Sequence, residues 1–161
     1  MNMQDHLRFV LERCKNAADA LLNDINEEES LYRIEAYPNH IRWEAGHMAR
    51  GLSQILGCLT DETDFPEEWT ELFSRGATVS DDPLVYPSLE AIINRINNLY
   101  VKIFAVLGEI DDEKLEEKIH IFTECKDSRI RGVLFLCLHD FHHGGHIVIL
   151  RRAIGKQGVF G

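Results

Sequence analysis

The 161-residue chain has no apolar run approaching the roughly 18 residues that a membrane-spanning helix needs. No membrane partner is therefore expected. Basic residues are few, 17 against 27 acidic ones, for a net charge of −10. Such a surface repels a phosphate backbone, which excludes nucleic acid as the expected partner. Cysteine is scarce and scattered: Cys14, Cys58, Cys125 and Cys137 form no C-x-x-C pair. Met1 to Arg13 mixes Asp5, Arg8 and Glu12 with its apolar residues and has no apolar h-region. A cytoplasmic protein with reduced, free thiols is the expectation. Internal repeats, low-complexity tracts and strong two-residue alternation are also missing.

What remains is an ordinary globular balance, 45% apolar and 27% charged, in a chain sized for one domain over residues 1–161. Helical periodicity dominates. Leu7, Val10, Leu11, Cys14, Ala18, Leu21, Leu22 and Ile25 make one buried stripe in a helix from about Asp5 to Ile25. Asn39 fits the N-cap of a second helix, about His40 to Cys58, with Trp43, His47, Met48, Leu52, Ile55 and Leu56 inward. Gly46 and Gly51 in its middle lower helix propensity and suggest a closely packed neighbour. Pro66 could open a short helix. Pro87-Ser88 starts a third long helix to about Leu107. Lys118 to Phe122 reads as a short extended piece. Asp127-Ser128 caps the last long helix, Arg129 to Ile154, with Gly155 in the left-handed position that ends it. The run Val133 to Leu138 is apolar nearly all round, which predicts that this helix is the most buried. Four long helices predict an all-α four-helix bundle.

Histidine is the anomaly. Four of eight, His139, His142, His143 and His146, fall within eight residues. His139 and His143 are spaced i, i+4, about 40° apart on one helical face, so both imidazoles can reach one metal ion. His146, seven residues after His139, returns to the same face. His47 on the second helix is the natural third ligand from across the core. Three histidines with an open position are the pattern of a catalytic zinc-type site. The competing readings are a surface H-x-x-x-H pair, a hydrogen-bonded core histidine at position 47, and a di-iron site built on Glu44-x-x-His47 and Asp140-x-x-His143. The di-iron site would need inward carboxylates from the first and third helices, whose stripes carry none.

The segment Asn39-His40-Ile41-Arg42-Trp43-Glu44-Ala45-Gly46-His47-Met48 resembles the W-x-x-G-H-[LMI] segment of the DinB/YfiT-like superfamily. This is the damage-inducible bundle family, not the polymerase sharing the label. His139-Asp140-Phe141-His142-His143-Gly144-Gly145-His146-Ile147, followed by Leu150-Arg151-Arg152 and Ile154-Gly155, resembles its H-x-x-[HY]-H-x-G-Q-I…LRR-x-x-G segment. The resemblance implies a bundle that binds one divalent metal, zinc or nickel above others, through His47, His139 and His143. His146 departs from the family's glutamine, and Glu44 stands where relatives often have histidine. The resemblance further implies a homodimer. Sequence support for that is limited to Trp69, Leu72 and Phe73 as an apolar contact.

Characterised branches of that family include bacillithiol transferases and mycothiol-dependent isomerases, and others are predicted metal-dependent hydrolases. The resemblance therefore implies a metal-dependent enzyme acting on a small molecule. A thiol transferase using a low-molecular-weight thiol as a further cofactor ranks above a hydrolase. A non-catalytic metal- or small-molecule-binding stress protein is the alternative of another class. Three neutral imidazoles leave the charge of a divalent ion uncancelled, so a thiol or water beside it ionises near neutral pH. Glu44, Asp140 and His146 are the candidate proton acceptors, with His142 a further one.

Overall fold

The chain is described here by a computed structural model covering residues 2–122 and 125–159. Its helices are α1 (Met3–Leu22), α2 (Ile41–Thr60), the short α3 (Glu67–Thr70), α4 (Leu89–Leu107), the short α5 (Asp112–Glu116) and α6 (Arg129–Ala153). Side chains cap α1, α2 and α4, whereas Ser128, the residue before α6, makes no side-chain cap bond. Asn2 and Asp5 form a reciprocal capping box on α1, and Ser88 accepts the Ala91 N–H at the start of α4. The N-cap of α2 is His40, one residue beyond the asparagine expected there; its ring nitrogen accepts the Trp43 N–H at 3.0 Å. Asn39 is left free to bond elsewhere. Gly155, at φ +82°, follows the end of α6 in the left-handed conformation.

The four stripes meet in one bundle. α2 packs against both α4 and α6, and α1 closes the other side against α6 and α4. α1 and α2 thus lie diagonally, joined by a connection that crosses the bundle end and includes a 3-10 turn at Glu29–Leu31. Three buried arginines fix the connections. Arg42 reaches Glu27 and Ser30, Arg129 reaches Asp61, Glu117 and the Cys58 carbonyl, and Arg151 reaches Asp24 and the Leu21 carbonyl. The extended piece β1 (Lys118–Phe122) pairs antiparallel with β2 (Cys125–Ser128), which runs into α6. That second strand left no pattern in the sequence, being four mostly polar residues.

The most buried helix is α2, not α6. Every residue of α2 from Ile41 to Ala49 is buried, because α4, α6 and the segment around Phe73 cover three sides of it. On α6, Val133, Leu136 and Cys137 are buried, but Leu134, Phe135 and Leu138 stand exposed. The run Val133 to Leu138 therefore serves two faces, only one of which is buried. α6 is also long and apolar enough to cross a membrane by length and composition. It instead lies against α1 and α2 with Asp140, His143 and Arg151 buried in the interface, which is the pattern of a core helix.

His40 couples folding to pH. It is 1% exposed, and burial, reinforced by the Arg33 and Arg42 charges, lowers its pKa from about 6.5 to about 4. Its capping nitrogen must stay unprotonated to accept the Trp43 N–H. Below pH 6.5 the unfolded chain takes up a proton that the folded chain refuses, so stability is lost as pH falls from 6.5 toward 4. The loss from this group is at most roughly 3 kcal/mol. Asparagine at position 40 keeps a capping oxygen but does not titrate. Urea unfolding of metal-free protein should therefore show a shallower decline between pH 7 and 4.5 in His40→Asn than in wild type. Parallel declines would refute the assignment.

Candidate metal site

The inward face of α2 carries Trp43, His47, Arg50 and Gly51 past the facing residues Leu136, His139, His143 and His146 of α6. Both glycines of α2 are sites of close approach. A Cβ on Gly46 would lie 2.1 Å from the Phe73 ring, and one on Gly51 would lie 2.9 Å from an Asp140 carboxyl oxygen. Gly46 thus lets the Phe73 segment lie flat on the helix. There the Phe73 carbonyl meets His47 Nδ1 at 2.7 Å, and the Leu72 carbonyl accepts the Trp43 indole N–H at 3.0 Å. Trp43 stacks on the His47 ring, 4.9 Å between centroids. Trp69, Leu72 and Phe73 accordingly pack against the core, Phe73 completely, and do not form an outward apolar patch.

His47, His139 and His143 are brought together. His47 Nε2 lies 3.3 Å from His139 Nε2, which lies 3.1 Å from His143 Nε2. Tetrahedral coordination with metal–nitrogen bonds of 2.0–2.1 Å separates ligand nitrogens by about 3.3 Å. The tautomers agree with that geometry. A carbonyl can only accept, so His47 carries its proton on Nδ1. His143 Nδ1 lies 2.5 Å from Glu44 Oε2, so its proton also points outward. The Nε2 lone pairs of His47 and His143 therefore face a common point, and His139 can place a proton against only one of them. Burial lowers the His47 pKa to about 4, which keeps this nitrogen a lone-pair donor at neutral pH. The donor set fits a divalent ion in both distance and proton placement.

Glu44 is fully buried yet closely partnered. Tyr37 donates its hydroxyl to one carboxylate oxygen, Asn39 donates to the same oxygen at 2.7 Å, and His143 donates to the other. Burial by itself would raise the carboxyl pKa; these three hydrogen bonds outweigh it and hold Glu44 below the usual range. Having given its one proton to Glu44, the Tyr37 oxygen accepts from His146 Nδ1 at 2.7 Å. His146 is thereby left with a bare Nε2 at the cavity wall. Glu44, His143 and His146 also place ligand atoms within 4.8 Å of one another, but the Nδ1 atoms of His143 and His146 carry protons given to Glu44 and Tyr37, unlike the bare Nε2 atoms of His47 and His143.

Asp140 lies behind the site. It is 3% exposed and lines a small crevice with Cys14, Leu21 and Met48, and neither carboxyl oxygen has a hydrogen-bond partner in the structure. Burial raises its pKa. It does not line the main cavity above the histidines, whose volume is about 710 Å³. Tyr37, Asn39 and the Phe73 carbonyl escaped the reading of the sequence. Asn39 reads in the sequence only as an N-cap, Tyr37 precedes it without a motif, and a backbone carbonyl 26 residues from His47 has no sequence signature.

A family model described as the DinB superfamily matches residues 10–147. The chain belongs to the DinB superfamily. A crystal structure described as the conserved protein of locus from Enterococcus faecalis shares the fold at a TM-score of 0.75 and 17% identity, covering 97% of this chain and 99% of that one. A search of curated proteins gave no match. Membership in the DinB superfamily accounts for the bundle, with the histidine cluster between α2 and α6 as a place that could hold a metal ion.

Proposed function

We propose that this DinB-superfamily protein is a metal-dependent S-transferase in which His47, His139 and His143 hold one divalent ion, zinc or nickel, at the floor of the cavity. The observation that carries this reading is the convergence of three Nε2 atoms at metal-ligand spacing beneath an open cavity of about 710 Å³. A closed structural site would have a fourth protein ligand; here the three histidines line an open cavity. A divalent ion at that point supplies the positive charge that lets a low-molecular-weight thiol ionise near neutral pH.

The chain's own residues do the rest. His146 Nε2 accepts the thiol proton, its ring held by Tyr37, which Glu44 orients in turn. Trp43 and the Phe73 carbonyl fix the His47 ring. The thiolate sulfur then forms a bond to the electrophilic carbon of the second substrate, and the leaving group departs with the electron pair of its broken bond. Metal-loaded protein should consume bacillithiol, mycothiol or glutathione when an alkylating or aryl-halide electrophile is present. No thiol loss with any of the three would end the transferase reading, and ester cleavage in its place would favour a hydrolase.

Two further features belong to the same proposal. Leu134, Leu138, Phe141 and Ile149 stand exposed along one stripe of α6, Leu138 by 71%, and an apolar stripe of this extent marks an association surface. We assign it to a second copy of the chain. Light scattering at micromolar protein should give a dimer mass, and Leu138→Asp should halve it; a monomeric wild type would refute this. Four free cysteines, three of them buried, support placing the protein in the reducing cytoplasm.

A further inference from the structure

Nothing in the proposed chemistry uses the two arginines of the cavity wall. Arg50 sits three residues after His47 on α2, half-buried, and Arg75, exposed at the cavity rim, extends from the segment whose Leu72 and Phe73 carbonyls anchor Trp43 and His47. Five other buried or half-buried arginines are paired. Arg33, Arg42, Arg95, Arg129 and Arg151 each contact a carboxylate. Arg50 and Arg75 have no carboxylate partner among the described residues, although the chain carries ten more acidic than basic groups. No carboxylate lines the cavity either: Glu44 and Asp140 lie behind its wall. The cavity is thus a cationic recess in an acidic protein, lined also by imidazoles, by the neutral amides of Asn39 and Gln54, and by aromatic and apolar side chains such as Trp43 and Leu136. A guanidinium left without a partner at a cavity wall matches a planar oxyanion in two parallel hydrogen bonds.

We infer that the cavity takes a small molecule bearing an oxyanion group, carboxylate or phosphate, which Arg50 and Arg75 bind while its reactive end meets the three histidines. This names the substrate class for the proposed activity and rests on that reading only for what happens at the reactive end. The arginines select by charge, since two cations with no carboxylate beside them on the cavity wall attract an anion and offer a neutral analogue nothing equivalent.

Isothermal titration of metal-free and zinc-loaded protein with succinate, inorganic phosphate and neutral succinamide tests the inference. At least one anion should bind in both forms, and succinamide in neither. The anion that binds identifies the group as carboxylate or phosphate. Arg50→Gln/Arg75→Gln should weaken the anion at least tenfold in both forms with zinc content unchanged, and Arg50→Lys should fall between, keeping charge but losing the fork. Neither arginine makes a hydrogen bond or ion pair among the described residues, so circular dichroism of these variants should match wild type. If neither anion binds wild type, or if the double variant binds as tightly, the inference is wrong. Protein that takes no zinc yet still binds the anion through its arginines would overturn the metal-site reading and leave this one standing.

Discussion

Wild-type protein should carry one divalent ion per chain after purification, and both His143→Ala and His139→Ala should carry none. The expectation rests on proton placement as much as on distance. His143 presents Nδ1 to Glu44 at 2.5 Å and Nε2 to His139 at 3.1 Å, so alanine there removes a ligand whose lone pair is already aimed. His143→Ala also removes one of the three donors to the buried Glu44 carboxylate, leaving its Oε2 without that partner, a change that destabilises the fold on its own. His139 serves as the control for that effect. Its side chain is 30% exposed and its Nδ1 makes no hydrogen bond, lying 3.9 Å from Asp140 Oδ1, so His139→Ala removes a ligand at the cost of that one long ion-pair contact and leaves the Glu44 network intact. His146→Gln should retain the ion, because His146 faces Tyr37 and lies outside the trio. The ion binds the folded site and not the scattered histidines of the unfolded chain, and metal at 100 times its Kd adds about 2.7 kcal/mol of stability. Adding zinc to metal-free protein should therefore raise the Tm of wild type and of His146→Gln and leave both alanine variants where they were. Equal metal content in wild type and His139→Ala would mean that the ligands lie elsewhere.

The parts of this protein legible in its sequence were those set by local periodicity. The i, i+4 pair His139/His143 and the stripes of α1, α2 and α4 follow from 3.6 residues per turn. Gly46 and Gly51 also signalled correctly, since a glycine that weakens a helix is tolerated where a ring or carboxyl approaches the backbone. What failed depended on which partner covers which face. The run Val133 to Leu138 is apolar on every side, and periodicity cannot say that one side is left open. Asp140 stands next to His139 in sequence, but adjacent residues on a helix point about 100° apart, so it turns into the crevice beside Cys14. The network of Tyr37, Asn39, Glu44, His143 and His146 spans 109 residues of chain. No spacing rule reaches that far. Glu44 was legible as a chemical candidate, one turn before His47; its function as the residue that fixes His143 emerged only from the contact.

That contact gives Glu44→Gln the second large effect. The carboxylate is fully buried and accepts from Tyr37, Asn39 and His143. It fixes the His143 proton on Nδ1, points Nε2 at the trio, and makes the imidazole a stronger donor. Removing such a supporting carboxylate typically weakens metal binding by 10- to 100-fold. Glutamine keeps the shape and can still accept from His143, but its amide hydrogens then face Asn39 and Tyr37, which were donors to that oxygen. Zinc affinity, measured by competition with a chromophoric chelator at pH 7.5, should fall by about 10- to 100-fold. Far-UV circular dichroism should remain helical. Glu44→Ala goes further by leaving up to three buried donors unpaired, each costing about 1–3 kcal/mol, so its unfolding midpoint in urea should drop well below that of Glu44→Gln. Tyr37→Phe separates orientation from charge: it removes one donor to Glu44 and the acceptor for His146 but leaves the His143 bond intact. Zinc affinity in Tyr37→Phe should therefore stay within a few-fold of wild type while thiol consumption falls. Unchanged zinc affinity in Glu44→Gln would show that His143 needs no carboxylate to present Nε2, and that the short contact between them is packing alone.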